Sequence, residues 1–139
     1  MGLQPSYSSD DNDAVLIEGA DGFRYPLAAE WQSAARCGEN YEYAGSNMID
    51  DIAWYSANSD DQSHPVGLMQ PNRCGLKDMS GNVWEWVADD QGSSGAVDRV
   101  IHGGGWGSDA GLCRISNQLR FSPVSRYNYL GLRLARALQ

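Results

Sequence analysis

The apolar positions of this chain fall in short, separated groups rather than in sustained periods. Ala14 to Ile17 form a brief run closed by Gly19, Asp21 and Gly22, which predicts a short strand ending in a turn. Behind Pro26, the residues Leu27, Trp31, Ala34 and Ala35 recur at spacings of three and four until Gly38, which predicts a helix anchored by Trp31. From Glu39 to Asp78 the pattern dissolves into Gly, Asn, Ser, Asp and Pro with isolated aromatics such as Tyr41, Tyr43, Trp54 and Tyr55. That stretch is expected to be a long ordered loop, with the tryptophans as the pins that hold it. Val83 to Val87, Val100 to Trp106 and Leu130 to Leu134 read as short strands, the last returning to close the domain. Residues 1–13 are polar and acidic and are expected to form a flexible lead-in, leaving 14–139 as a single domain.

Composition narrows the function classes. A chain of 139 residues with 42% hydrophobic content can bury one core, and no stretch reaches the roughly 20 apolar residues of a membrane span. No signal-peptide pattern opens the chain, which leaves cytoplasm, cell surface and virion all open as locations. The formal charge of −8, with Lys77 as the sole lysine, is the wrong footprint for nucleic acid. Cys37, Cys74 and Cys113 are odd in number and widely spaced, and read as free thiols. No CxxC pair accompanies the distant His64 and His102, so zinc has no support; His64, beside Pro65, reads as a hydrogen-bonded loop residue. No GxSxG, P-loop or paired-carboxylate signature offers a reaction.

The ordered motifs GFRYPLAAEWQSAAR, AWYSANS, HPVG, PNRCGLKDMSGNVWEW, RVIHGGGW, CR and LGLRLAR carry a more specific message. Together they span residues 22–136, and the pairing of DMSGNVWEW with GGGW resembles the formylglycine-generating-enzyme and sulfatase-modifying-factor family. The resemblance implies an α+β, C-type-lectin-like fold: a small twisted antiparallel sheet, one or two helices and extensive ordered loop. Members commonly carry Thr as the helix N-cap where this chain has Leu27, which removes a side-chain acceptor and predicts a weaker cap. The resemblance also implies a structural calcium site on Asp78, Gly81, Val83 and Glu85, a mixture of carboxylate and main-chain oxygens that suits the ion. Read from the residues alone, Asp78 instead caps a turn and Glu85 pairs with an arginine. Trp84, Trp86 and Trp106 are expected in the core.

The family's enzymes use two cysteines after the GGSW-like motif. Here the downstream one falls on Cys113 and the upstream one on Ser108. A hydroxyl cannot replace a thiolate on copper or in redox exchange, so no redox cofactor and no oxidase chemistry are expected, and Cys113 reads as a buried small hydrophobe. The tail RVIHGGGWGSDAGLCRISNQLRFSPVSRYNYLGLRLAR further resembles the variable region of diversity-generating retroelement proteins, in which template adenines randomise chosen codons. Within about 99–136, that resemblance places the fixed scaffold on Gly103 to Trp106, Ala110, Cys113, Arg114, Ser116, Pro123, Arg126 and Gly131 to Ala135. The variable, ligand-binding set falls on Gly107, Ser108, Asp109, Leu112, Leu119, Arg120, Phe121, Ser122, Val124, Ser125, Tyr127, Asn128 and Tyr129. None of these is Lys, Glu, Gln, Met or Trp, the residues that adenine variation of an AAC codon never yields. Rich in Tyr, Ser, Asn and Gly, the set has the make-up of a contact surface for a protein or other macromolecular ligand. The competing expectations are a residual formylglycine-generating-type cysteine oxidase or metal-assisted enzyme, and, last, a calcium-dependent sugar binder, for which the EPN or QPD motif is missing.

Overall fold

A computed structural model describes residues 4, 7–10, 13–17, 19–90 and 98–137. Of the expected lead-in, residues 1–3, 5–6 and 11–12 lie outside the described residues. The remainder departs from the expectation: β1 (Tyr7–Asp10) pairs antiparallel with β2 (Asp13–Leu16), so the lead-in supplies the partner that the apolar run needed. The helix follows where its spacing placed it, as α1 (Ala28–Arg36), with Trp31 and Ala35 buried. Leu27 gives no side-chain cap. Its own N–H donates to Glu30 at 2.8 Å, and the amide of Ala28 donates to the Asp89 carboxylate, so two acids do the work of the missing cap residue.

The main sheet holds β3 (Trp84–Asp90), β4 (Arg99–His102), β5 (Gln118–Phe121) and β6 (Leu130–Leu132) in the order β5-β4-β3-β6. Two of its pairings are antiparallel, and β3 and β6 run parallel, so the sheet is mixed and mostly antiparallel. The reason is the connection. β5 and β6 lie on opposite edges, so the segment from Ser122 to Tyr129 has to cross β4 and β3 before the last strand can pair.

Alternation along the strands gives the sheet two different faces. Val87 and Val100 pack with Trp31, Ala35, Met79 and Ile115 in the core beneath α1. Ile101 points the other way, yet it too is completely buried. Phe121 lies directly opposite Arg99 in the β4–β5 pairing and shares that outer side, with Leu119 opposite Ile101. The crossing segment is what lies over this second face. Of the tryptophans expected in the core, Trp84 is buried, whereas Trp86 and Trp106 are only half-buried.

Residues 39–82 are the expected long loop, broken by a 3-10 turn at Ile49–Asp51. Asparagines tie it more than tryptophans do. The Asn72 side chain donates to the carbonyls of Ala34 and Ala35 at 2.8 and 3.0 Å and accepts the amides of Cys74 and Leu76, both at 3.0 Å, closing the end of α1. Asn82, held at a φ of 66°, accepts His64 N–H at 2.9 Å and donates back to its carbonyl at 3.1 Å. Its main chain joins Trp54 and Trp106, each at 2.7 Å. The Trp54 ring adds a stack on His64 with centroids 3.9 Å apart. Gly81 cannot be anything else, because a Cβ there would sit 2.3 Å from the Trp54 carbonyl oxygen.

The cysteine expectation is corrected for two of the three. Cys37 and Cys74 form a disulfide with a Cα separation of 5.8 Å, which ties the αL residue after the helix to the loop beside Asn72. The pairing was invisible in the spacing because the two cysteines, 37 positions apart, are brought together by an irregular loop. Cys113 is free and buried.

Candidate functional site

The expected variable positions divide clearly by exposure. Gly107, Asp109, Arg120, Ser122, Val124, Tyr127 and Asn128 are exposed, and Leu112, Leu119, Phe121, Ser125 and Tyr129 are half-buried. Ser108 is the exception and a correction. It is 7% exposed, its hydroxyl accepts Gly105 N–H at 2.9 Å, and its carbonyl accepts Ser56 N–H at 3.0 Å. Ser108 is thus part of the scaffold of the glycine turn, not of the surface.

An aromatic cluster organises the crossing segment. Tyr127 and Tyr129 stack with centroids 4.9 Å apart, and Phe121 meets their edges at 5.6 and 6.4 Å. Tyr127 and Val124 stand out at 49% and 79% exposure. Phe121 and Tyr129 are the floor of the cluster, half-buried against the sheet; burial raises the Tyr129 phenol above its ordinary range, and Tyr127 adds to the rise. Arg120 leaves β5 on the opposite side from Phe121 and its aromatic partners. Asp109 caps the short 3-10 turn Ala110–Cys113 by accepting Leu112 N–H at 3.0 Å.

The backbone of this region is fixed almost entirely by backbone. β5 is laddered to β4, Ser125 N–H reaches Ser122 at 2.9 Å, and Leu130 N–H reaches Tyr127 at 3.2 Å. The Tyr129 carbonyl accepts Trp84 N–H at 2.8 Å, and the Asn128 carbonyl faces the Trp106 indole N–H at 3.5 Å. Among the described residues, the side chains of Arg120, Ser122, Ser125, Tyr127, Asn128 and Tyr129 make no hydrogen bond to the protein.

The four positions that resemblance assigned to calcium behave differently. Glu85 is buried, and both its carboxylate oxygens are taken by Arg133, at 2.8 and 2.9 Å, with Trp31 Nε1 donating at 2.7 Å. Asp78 accepts Gly67 N–H at 2.6 Å through one oxygen, while its Oδ1 is buried without a partner. The orphaned oxygen alone would suit a cation. The set as a whole does not fit one, because the guanidinium of Arg133 already neutralises Glu85 where a dication would need it. Gly81 N–H donates to the Gly103 carbonyl at 2.7 Å, and the Val83 side chain packs against Gly131.

The positions that correspond to the family's cysteine pair are closed. Cys113 has no exposed surface, burial pushes its thiol up to about 12, and Gly104 is packed so tightly on its sulfur that a Cβ there would lie 2.6 Å away. His102 is equally buried beneath Trp31, with ring centroids 4.9 Å apart. Its Nδ1–H donates to the Asn117 carbonyl at 2.9 Å, Nε2 has no partner, and burial lowers its pKa. Sequence reasoning missed Asn72 and Asn82; the one signal was their place in the quoted motifs PNRC and SGNV.

A sheet this small, one helix and a majority of hydrogen-bonded loop define an α+β domain of the C-type-lectin-like class. Residues 6–138 match the sulfatase-modifying factor enzyme 1-like domain, and the chain belongs to that family. It is 35% identical to the chaperone protein LppX of Paenibacillus barcinonensis over 97% of the chain and 62% of LppX. With the inactive C-alpha-formylglycine-generating enzyme 2 of Mus musculus it shares 30% identity over 89% of the chain and 46% of that protein. Treponema denticola variable protein 1 superposes with a TM-score of 0.84 at 34% identity, covering 95% of this chain and 54% of the other. The chain therefore spans about half to three-fifths of the length of these relatives.

Proposed function

We propose that this domain is a non-catalytic binding protein whose contact face, drawn from Gly107, Asp109, Leu112, Leu119, Arg120, Phe121, Ser122, Val124, Ser125, Tyr127, Asn128 and Tyr129, is diversified by a retroelement and meets a macromolecular target. One observation carries the reading: the crossing segment is held by main-chain hydrogen bonds while its polar side chains bond to none of the described residues. Side chains can be exchanged there without removing the bonds that hold the backbone. Tyr127, Tyr129 and Phe121 supply rigid contact area, and Ser and Asn supply adaptable hydrogen bonding. The likeness to a variable protein from Treponema denticola supports the same reading.

The absence of a second thiol at Ser108, and the sealed, protonated thiol of Cys113, speak against cysteine oxidation by this domain. The relationship to an inactive formylglycine-generating enzyme points in the same direction.

A library randomised at Leu119, Ser122, Val124, Ser125, Tyr127, Asn128 and Tyr129 tests the reading whatever the natural target is. Most members are expected to keep cooperative thermal unfolding, and display selection against folded proteins should recover binders. A library in which most members lose cooperative unfolding would refute the proposal. Neighbouring DNA gives an independent check: a template repeat differing from codons 99–136 only at adenines, beside a reverse-transcriptase gene.

A further inference from the structure

The main sheet ends at β6, and that edge is open. The phase of its hydrogen bonding is fixed at two points: the Tyr129 carbonyl accepts Trp84 N–H at 2.8 Å, and Ala135 exchanges both main-chain bonds with Arg24, at 2.8 and 3.0 Å. Main-chain groups alternate in direction along an extended strand, so Tyr129, Gly131, Arg133 and Ala135 turn theirs towards β3 and the Arg24 segment. Leu132 and Leu134 therefore turn theirs to the outside. Among the described residues, nothing bonds the main chain of Leu134.

The side chains of the same residues are open as well. Arg133 reaches inward to Glu85 and to the Lys77 carbonyl, each at 2.8 Å, so Leu132 and Leu134 stand on the outer side of the sheet, 57% and 52% exposed. Arg24 is turned to Glu30 on α1, which puts Phe23 on that outer side too, beside Leu134 and 58% exposed. Three large apolar side chains thus adjoin an unpaired strand edge, a combination that folded monomers rarely leave uncovered. It is also a place where this acidic chain carries no acid: residues 129–137 contain none, Glu85 is paired with Arg133, and Glu30 with Arg24. The opposite edge, β5, is guarded by the exposed charge of Arg120.

We infer that the β6 edge pairs with the same edge of a second copy of this chain. An antiparallel pairing centred on Arg133 sets Leu132 of each copy against Leu134 of the other, so the outward main-chain groups satisfy each other and the leucines meet on one side. Arg136 then falls opposite Leu130, and no charge faces its like. Two chains of charge −8 can approach here because the edge itself is free of carboxylates. The contact is smaller than the roughly 800 Å² per partner of a standard interface, so the dimer is a weak one. Its two-fold axis is perpendicular to the sheet, which makes both outer faces look the same way. Resting on the binding reading above, the dimer shows two crossing segments side by side to one target, whose second contact gains from effective concentration.

Sedimentation velocity at loadings of about 10 μM to 1 mM should show a shift from monomer to dimer. Leu132→Glu/Leu134→Glu sets carboxylates against carboxylates and should weaken the association at least about tenfold. Val66→Glu/Leu68→Glu is the control, adding the same charge at two exposed apolar residues of the 39–82 loop. Both variants should melt as the parent does. The register is read separately: with oxidised glutathione, a mixture of Leu132→Cys and Leu134→Cys chains should cross-link faster than either variant alone. A monomer at every loading, an equal loss in the control, or cross-linking no faster in the mixture would overturn the inference. None of these measurements uses a target, so their failure leaves the diversified-face reading standing. A randomised library that does not fold would remove that reading and leave the dimer.

Discussion

Two loop-rich regions of this domain solve the same problem in opposite ways. Residues 39–82 combine main-chain turns with side-chain ties: Asn72 and Asn82 each take several backbone groups that no helix or strand supplies. Residues 119–129 are held by main chain, and their side chains face outward or stack on each other. In the first region sequence and conformation are locked together. In the second, conformation is set by neighbouring strands and main-chain bonds, with Ser122, Val124 and Asn128 exposed. One small fold thus holds a loop tied through its side chains beside one that is not.

The largest break in that comparison comes from the disulfide. Cys37→Ser with Cys74→Ser opens a loop whose ends are 37 positions apart, and chain entropy alone puts the cost at about 3–4 kcal/mol. Calorimetry should show the melting temperature falling by roughly 10 °C. An unchanged melt would mean that the asparagine bonds hold the loop without the covalent tie. Asn72→Ala follows in size. It removes two donors from the end of α1 and two acceptors from the following turn, at about 1 kcal/mol per bond with relaxation, so a net loss of about 2–3 kcal/mol is expected in urea unfolding.

A pH effect separates the two faces of the sheet. Burial lowers the His102 pKa below its ordinary 6.5, so the unfolded chain takes up a proton before the folded one does. Stability is therefore fully present above about 6.5 and declines as pH falls below that value towards the depressed folded pKa. Denaturant midpoints measured from neutral to mildly acid pH should show this decline. His102→Gln should flatten it, whatever its effect at neutral pH. A decline of the same steepness in the variant would place its source elsewhere.

How much of this was legible in the sequence depends on whether a feature is local. The helix was, because the spacing of Leu27, Trp31, Ala34 and Ala35 is itself the helical period. Four strands were located to within a few residues, but β1 and β5 were not foreseen, and neither was the parallel pairing of β3 with β6, since direction depends on where a connection runs. Tyr127 is exposed, while Ser108 is buried because its hydroxyl is needed by an amide three residues away. The disulfide and the asparagine ties were illegible for one shared reason: their partners are brought together by loops that carry no periodic signal. Glu85 illustrates a choice the sequence left open, between an ion and an arginine, and Arg133 occupies it.

The smallest expected effect is the sharpest. Replacing Ser122 by Tyr, Val124 by Ser and Asn128 by Asp changes size, polarity and charge at three exposed positions whose side chains bond to nothing in the described structure. Each exchange should shift stability by no more than about 0.5 kcal/mol, because no cavity, cap or buried polar group is created. The hydrogen bonds from Trp84 to Tyr129 and from Leu130 to Tyr127 should persist, which amide exchange at Trp84 and Leu130 reads directly. A combined loss approaching that of Asn72→Ala, or faster exchange at those two amides, would mean that side chains and not strands hold the crossing segment. The contrast between the two loop regions would then vanish, and with it the physical basis for exchanging residues on this face.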